Sequence, residues 1–245
     1  MCGRYTIGHP ETLAARFGFV DFHETRIPPH FNVAPSQVVP VIVEGPNGRA
    51  LRLMRWGCQP TWMRQPKQPP PINARAETLL ERPLFREAVA RGRCLIPADG
   101  FYEWAARPGQ KTKQPVYVRL KSGELFGFAG LYTSAPDGDL TCAIVTTAAN
   151  DFIRPIHRRM PVILERDAEA VWLDPSLVDP AAALACLQPV SPEALEAYPV
   201  GPLVSSAHDD GPELIRPASA VQSTMPMRPE SAEGAGEEGD RPPRE

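Results

Sequence analysis

Lysine is scarce in this chain, with four of the 26 basic residues being lysine (Lys67, Lys111, Lys113, Lys121) and the other 22 arginine. The GxxxxGK[ST], HExxH and GxSxG motifs are missing, which excludes the ordinary phosphate loop, the zinc-peptidase helix and the serine nucleophile elbow. Five cysteines occur without a CxxC and five histidines without finger spacing, so no structural zinc site is expected. No apolar run approaches the roughly 20 residues of a membrane span, and no early one resembles a signal peptide. A reducing, cytoplasmic setting without membrane contact is the expectation.

The net charge of −3 argues weakly against a nucleic-acid partner, because residues 228 to 245 carry six acids and three arginines and account for it. The remainder is formally neutral. An arginine excess suits forked phosphate contacts, although GC-rich codons give the same excess.

What is present is a chain of 245 residues, 42% hydrophobic, with thirty scattered prolines that favour short elements over long helices. Strand-like runs are expected at Arg4 to Ile7, Val38 to Val43, Leu51 to Trp56, Cys94 to Pro97, Val116 to Leu120, Leu125 to Phe128 and Leu140 to Thr147. Pro46-Asn47-Gly48 reads as a hairpin turn, Phe31 to Gln37 as a polar loop and Gly57 to Pro71 as a surface loop. Helices are expected over Glu11 to Phe17, Pro83 to Arg91, Asp167 to Leu173, Pro180 to Leu187 and Pro192 to Tyr198. The pattern predicts one α+β domain over 1–217, β-rich, with curved, barrel-like sheets and short peripheral helices. A disordered acidic tail is expected over 218–245.

Chemistry is most concentrated at the start, Met1-Cys2-Gly3-Arg4. A small second residue permits loss of the initiator methionine. The new terminus would be a 1,2-aminothiol, its amine near pKa 8 and its thiol near about 8.5, both able to attack one carbonyl carbon. Amine attack gives a Schiff base, and the thiol closes it to a five-membered thiazolidine. Taken singly, the remaining polar candidates have plain alternatives. Glu103, among Phe101, Tyr102 and Trp104, is either a desolvated acid with a raised pKa or an exposed strand-end carboxylate. His157 before Arg158 and Arg159 is either an acid–base group beside a phosphate clamp or a surface-loop histidine. Asn73 and Arg75 alternate on an extended segment and share a face. Trp62 is a stacking platform or a core-edge cap, and Asn32 can be a turn residue alone.

Seven blocks in order change that balance: Met1 to Tyr5, Phe31 to Gln37, Met54 to Gly57, Asn73 to Thr78, Cys94 to Trp104, Thr146 to Asn150 and His157 to Pro161. Together they resemble the SOS-response-associated peptidase (SRAP) family of abasic-site processing proteins. The resemblance implies a monomer without cofactor or metal that recognises abasic sites in single-stranded DNA, joins them covalently through Cys2 after self-removal of Met1, and so shields the lesion. A weak lyase side reaction is also implied. The family's working set falls on Cys2, Asn73, Glu103 and His157, with DNA contacts at Arg4, Arg75 and Arg159, and with Asn32 and Trp62 added to that contacting set. Two departures stand out: Trp62-Met63 where a tryptophan pair is common, and Val204-Ser205 where Val-Asn is common. The competing readings are an N-terminal-nucleophile hydrolase acting on peptides and a non-covalent single-strand binder.

Overall fold

The computed structural model describes residues 2–19, 27–64, 68–177 and 179–218. Expectations for Met1 and for the tail beyond residue 218 lie outside the described residues. Among the described residues, thirteen strands and four α-helices make a strand-dominated α+β architecture. Among the described residues, no helix is long and apolar enough to cross a membrane.

The larger sheet closes on itself. Its strands are β3 (Val38–Gly45), β4 (Gly48–Trp56), β5 (Asn73–Arg75), β6 (Arg93–Ala98), β9 (Phe126–Ser134), β10 (Leu140–Ala148), β11 (Arg159–Pro161) and β12 (Ile163–Leu164). Pairing runs β10-β4-β3-β6-β9, and β9 then pairs with β10, so the curved sheet forms a barrel with no free edge along that circuit. The β3–β4 hairpin is the part the sequence specifies most directly. Gly45 faces Gly48 across Pro46-Asn47, and Gly48 takes φ 106°, a left-handed value that glycine adopts without steric cost.

A five-stranded sheet, in order β13 (Leu195–Pro199), β8 (Gln114–Leu120), β7 (Gly100–Ala105), β1 (Tyr5–Ile7) and β2 (His30–Val33), packs beside the barrel. Tyr5 sits at the seam, its ring 5.2 Å from Trp56 of β4 and 5.9 Å from Phe128 of β9 between centroids, both edge-on. Gly100 is obligatory here. A Cβ at that position would lie 2.2 Å from the Tyr117 hydroxyl, so any larger residue would have to displace that buried ring.

The helices α1 (Leu13–Phe17), α2 (Pro83–Arg91), α3 (Arg166–Leu173) and α4 (Pro180–Ala185) are short and peripheral. α2 has proline at its first turn and buries Phe85, Ala88 and Val89, as its spacing predicts. The first expected helix is shorter, because Pro10–Thr12 forms a single 3-10 turn before α1.

Two expectations need correction. Phe31 to Val33 belong to β2, paired with β1, where a polar loop was expected. Pro192 to Tyr198 is not a helix. Only Pro192–Ala194 turns, and Leu195–Pro199 is an edge strand paired along its whole length with β8. Glu, Ala and Leu favour helix locally, but the unpaired edge of β8 supplies backbone partners and Leu195 is fully buried there.

Candidate active site

The residues ahead of β1 lie at the seam between the two sheets. Tyr5 pairs with Phe101, and the Tyr102 amide donates to the Arg4 carbonyl at 3.0 Å, so the entering segment runs back along β7 towards Glu103. Cys2 is completely buried, with its sulfur 3.8 Å from the Arg4 carbonyl. Burial raises the thiol pKa well above its ordinary value, and the negative charge of Glu103 adds to the effect. The sulfur is therefore a protonated thiol in this state.

Asn73 reaches the same point from the barrel. β5 pairs in parallel with β10, Asn73 opposite Ile144, and the Asn73 amide Nδ2 donates to the Cys2 carbonyl at 2.9 Å. Its Oδ1 is buried without a hydrogen-bond partner among the described residues. Such an acceptor is costly to leave unmade unless a donor arrives.

Glu103 on β7 is 3% exposed, and burial raises its pKa, while the charge of His157 pulls against that rise. A carboxyl held in this way keeps its proton into a higher pH range than a surface glutamate. His157 follows the loop after β10. Its Nδ1 is seated between both main-chain groups of Arg159, 3.0 Å from the amide and 3.1 Å from the carbonyl oxygen. Cys2, Asn73, Glu103 and His157 thus converge, through the Asn73 bond to Cys2 and through the fields that Cys2 and Glu103 and that Glu103 and His157 exert on each other.

The arginines divide by surroundings. Arg75, at the end of β5, is exposed. Arg4 is half-buried and donates from Nη1 to Asn32 Oδ1 at 3.0 Å and to the Val204 carbonyl at 2.9 Å, and desolvation lowers its pKa. Arg159 forms a forked pair with Glu77 and also donates to the Thr146 carbonyl at 2.6 Å. Asn32 is only 2% exposed, and its Nδ2 lies against the carbonyls of Val204, Ser206 and Asp209. It stands behind Arg4 and fixes that side chain, instead of presenting its own amide to the surface.

Trp62 is 60% exposed at the mouth of a groove of about 410 Å³ that Asn73, Arg75, Arg82 and Phe85 also line. The groove leads from the surface to Asn73. Met63, at the first departure, has its carbonyl held by Gln59 Nε2 at 2.8 Å, which anchors the loop without a second ring. At the second departure, the Ser205 hydroxyl accepts from Trp104 Nε1 at 3.3 Å. Residue-by-residue reading missed Glu77 and Thr146. Their only sequence signal is that they lie in the same blocks as Arg75 and Asn150.

A closed barrel with a flanking sheet, whose first strand delivers a cysteine beside an amide, a carboxyl and an imidazole, defines an α+β protein with a candidate nucleophile near its N-terminus. The family model "SOS response associated peptidase (SRAP)" matches residues 1–207, and the chain belongs to that family. It is 44% identical over 221 residues to abasic site processing protein YoqW of Bacillus subtilis, covering 87% of this chain and 98% of the relative. Abasic site processing protein HMCES of Rattus norvegicus is 27% identical over 267 residues, covering 87% of this chain and 75% of the relative. A crystal structure of a Bacteroides thetaiotaomicron protein superposes with a TM-score of 0.78 at 28% identity, covering 89% of this chain and all of that one.

Proposed function

We propose that the protein processes abasic sites in single-stranded DNA by forming a covalent thiazolidine through Cys2 once Met1 has been removed. The observation that carries this reading is the hold of Asn73 on the Cys2 carbonyl beside a buried Glu103 whose charge the thiol senses. The names of the relatives, abasic site processing proteins, support the substrate class.

The open-chain form of an abasic deoxyribose is an aldehyde. His157 and Glu103 suit proton transfer in ring opening and loss of water, steps in which a positioned acid or base contributes about 10²- to 10⁴-fold. The α-amine of Cys2 adds to the aldehyde carbon, a water leaves, and an imine remains. The neutral thiol then adds across the C=N bond: sulfur bonds to carbon, its proton goes to nitrogen, and the ring closes. Carrying amine and thiol on one residue makes the second step intramolecular. If closure fails, the imine promotes β-elimination of the 3′ phosphate, which accounts for lyase activity.

Arg4, Arg75 and Arg159 supply phosphate contacts, and Trp62 a stacking face at the mouth of the groove. The test is incubation of the mature protein with single-stranded DNA containing one abasic site, followed by a denaturing gel and intact mass spectrometry. A heat-stable adduct at protein plus DNA minus one water is expected. Absence of an adduct overturns the proposal, with peptide turnover in trans pointing to a hydrolase and binding alone pointing to a non-covalent module.

A further inference from the structure

The loop that delivers His157 is fastened at one residue. Asn150, directly after β10, is 7% exposed and uses both ends of its side chain: Oδ1 accepts the Ile153 amide at 2.9 Å and Nδ2 donates to the Val190 carbonyl at 2.8 Å. Its main chain is engaged as well. The Asn150 carbonyl accepts the Arg154 amide at 2.9 Å, and its amide lies 3.4 Å from the Met160 sulfur. One residue therefore ties together the end of β10, the segment after α4, the start of the loop and β11.

His157 hangs from that clip. Ile153, held by Asn150 Oδ1, buries its side chain completely in the barrel core, and its carbonyl accepts the amides of Ile156 at 2.8 Å and His157 at 2.9 Å. The loop closes where the Ala149 amide donates to the Arg158 carbonyl at 3.0 Å. On the solvent side Arg154 pairs with Asp151 at 3.1 Å, side chains 65% and 84% exposed, a kind of pair that contributes little, and its Nη2 also reaches the Ala149 carbonyl at 3.4 Å.

We infer that Asn150 is a positioning residue for His157, setting the place of the imidazole against the main chain of Arg159. This rests on the reading of His157 as an acid–base group in abasic-site processing. A leucine at 150 fills similar space but leaves the Ile153 amide and the Val190 carbonyl without partners. A serine keeps an acceptor for the Ile153 amide, in the manner of a helix N-cap, and loses only the donor to Val190.

The test compares wild type, Asn150→Leu, Asn150→Ser, His157→Gln and the Asn150→Leu/His157→Gln double variant. Single-turnover adduct formation is measured on abasic single-stranded DNA, and affinity on DNA carrying a tetrahydrofuran site, which has no aldehyde. Asn150→Leu is expected to slow adduct formation about 10²-fold while affinity stays within about 2-fold. The double variant is expected to be no slower than His157→Gln alone, and Asn150→Ser to recover most of the rate. Imidazole ¹⁵N shifts are expected to differ between wild type and Asn150→Leu, because the ring is no longer held against the main chain of Arg159. A wild-type rate in Asn150→Leu, multiplicative losses in the double variant, or unchanged imidazole ¹⁵N shifts overturn the inference. Should Asn150→Leu fail to fold, Asn150→Ser carries the same comparisons, with a smaller loss expected and unchanged imidazole shifts and rate overturning the inference. Should wild type form no adduct, the abasic-site reading fails, and the imidazole ¹⁵N shifts alone decide the role of Asn150.

Discussion

Glu77 grips Arg159 by both ends of its guanidinium, Nη1 to Oε1 and Nη2 to Oε2 each at 3.0 Å, the geometry in which arginine also takes a phosphate. Glu77 is half-exposed, and the hydrogen bonds and charge of Arg159 hold its pKa below the ordinary carboxylate value against the opposing effect of burial. The acid thus occupies the seat proposed for DNA.

Glu77→Gln removes that competing charge. Single-strand affinity is expected to rise by about 2- to 5-fold, with a stability loss below about 1 kcal/mol, since a partly exposed pair contributes little. Arg159→Ala is expected to weaken binding and flatten the slope of log affinity against log salt by about 0.7. Fluorescence anisotropy over a salt series measures both, and weaker binding by Glu77→Gln would show that the acid organises Arg159 for DNA instead of competing for it.

Cys2→Ser keeps the amine and loses the thiol. The heat-stable adduct should vanish, while borohydride should still trap an imine and strand cleavage should increase. One extra residue ahead of Cys2 should abolish the thiazolidine and leave the circular dichroism spectrum unchanged. A stable adduct from either variant would move the chemistry away from Cys2.

Asn73→Ala removes the donor to the Cys2 carbonyl. Adduct formation is expected to fall about 10- to 100-fold, and stability by about 1 kcal/mol for the lost hydrogen bond. Quench-flow kinetics and urea unfolding separate the two effects.

Glu103 predicts a pH dependence whose sign follows from its raised pKa. A carboxyl that holds its proton more tightly folded than unfolded contributes stability fully below its unfolded pKa of about 4.3, and that contribution is lost as pH rises through the folded value. Glu103→Gln, which cannot ionise, should therefore melt above wild type at pH 7 to 8, with the gap closing as pH falls towards about 4.3. Calorimetry across that range checks it. A gap that widens on acidification would mean the carboxylate is stabilised in the fold.

Much of the local structure was legible. The β3–β4 hairpin follows from Pro46-Asn47-Gly48 between the β-branched run Val38 to Val43 and the strand-like run Leu51 to Trp56, and α2 from its first-turn proline and apolar face. β13 was not legible, because its residues favour a helix until the edge of β8 is beside them. Nor was the role of Asn32, which as a string looks like a turn residue and in the fold is a buried bracket for Arg4.

By itself the sequence determined the chemical inventory. An aminothiol can arise only at a second-position cysteine, and the ordered blocks named Asn73, Glu103 and His157 as its companions. Only the tertiary structure decided how these groups meet. Asn73 reaches Cys2 across 71 positions of chain because β5 runs parallel to β10 while β1 runs antiparallel to β7. Burial at that seam is what raises the Cys2 and Glu103 pKa values. Strand pairing over such separations depends on which edges remain free once the barrel closes, and no local stretch of sequence carries that information.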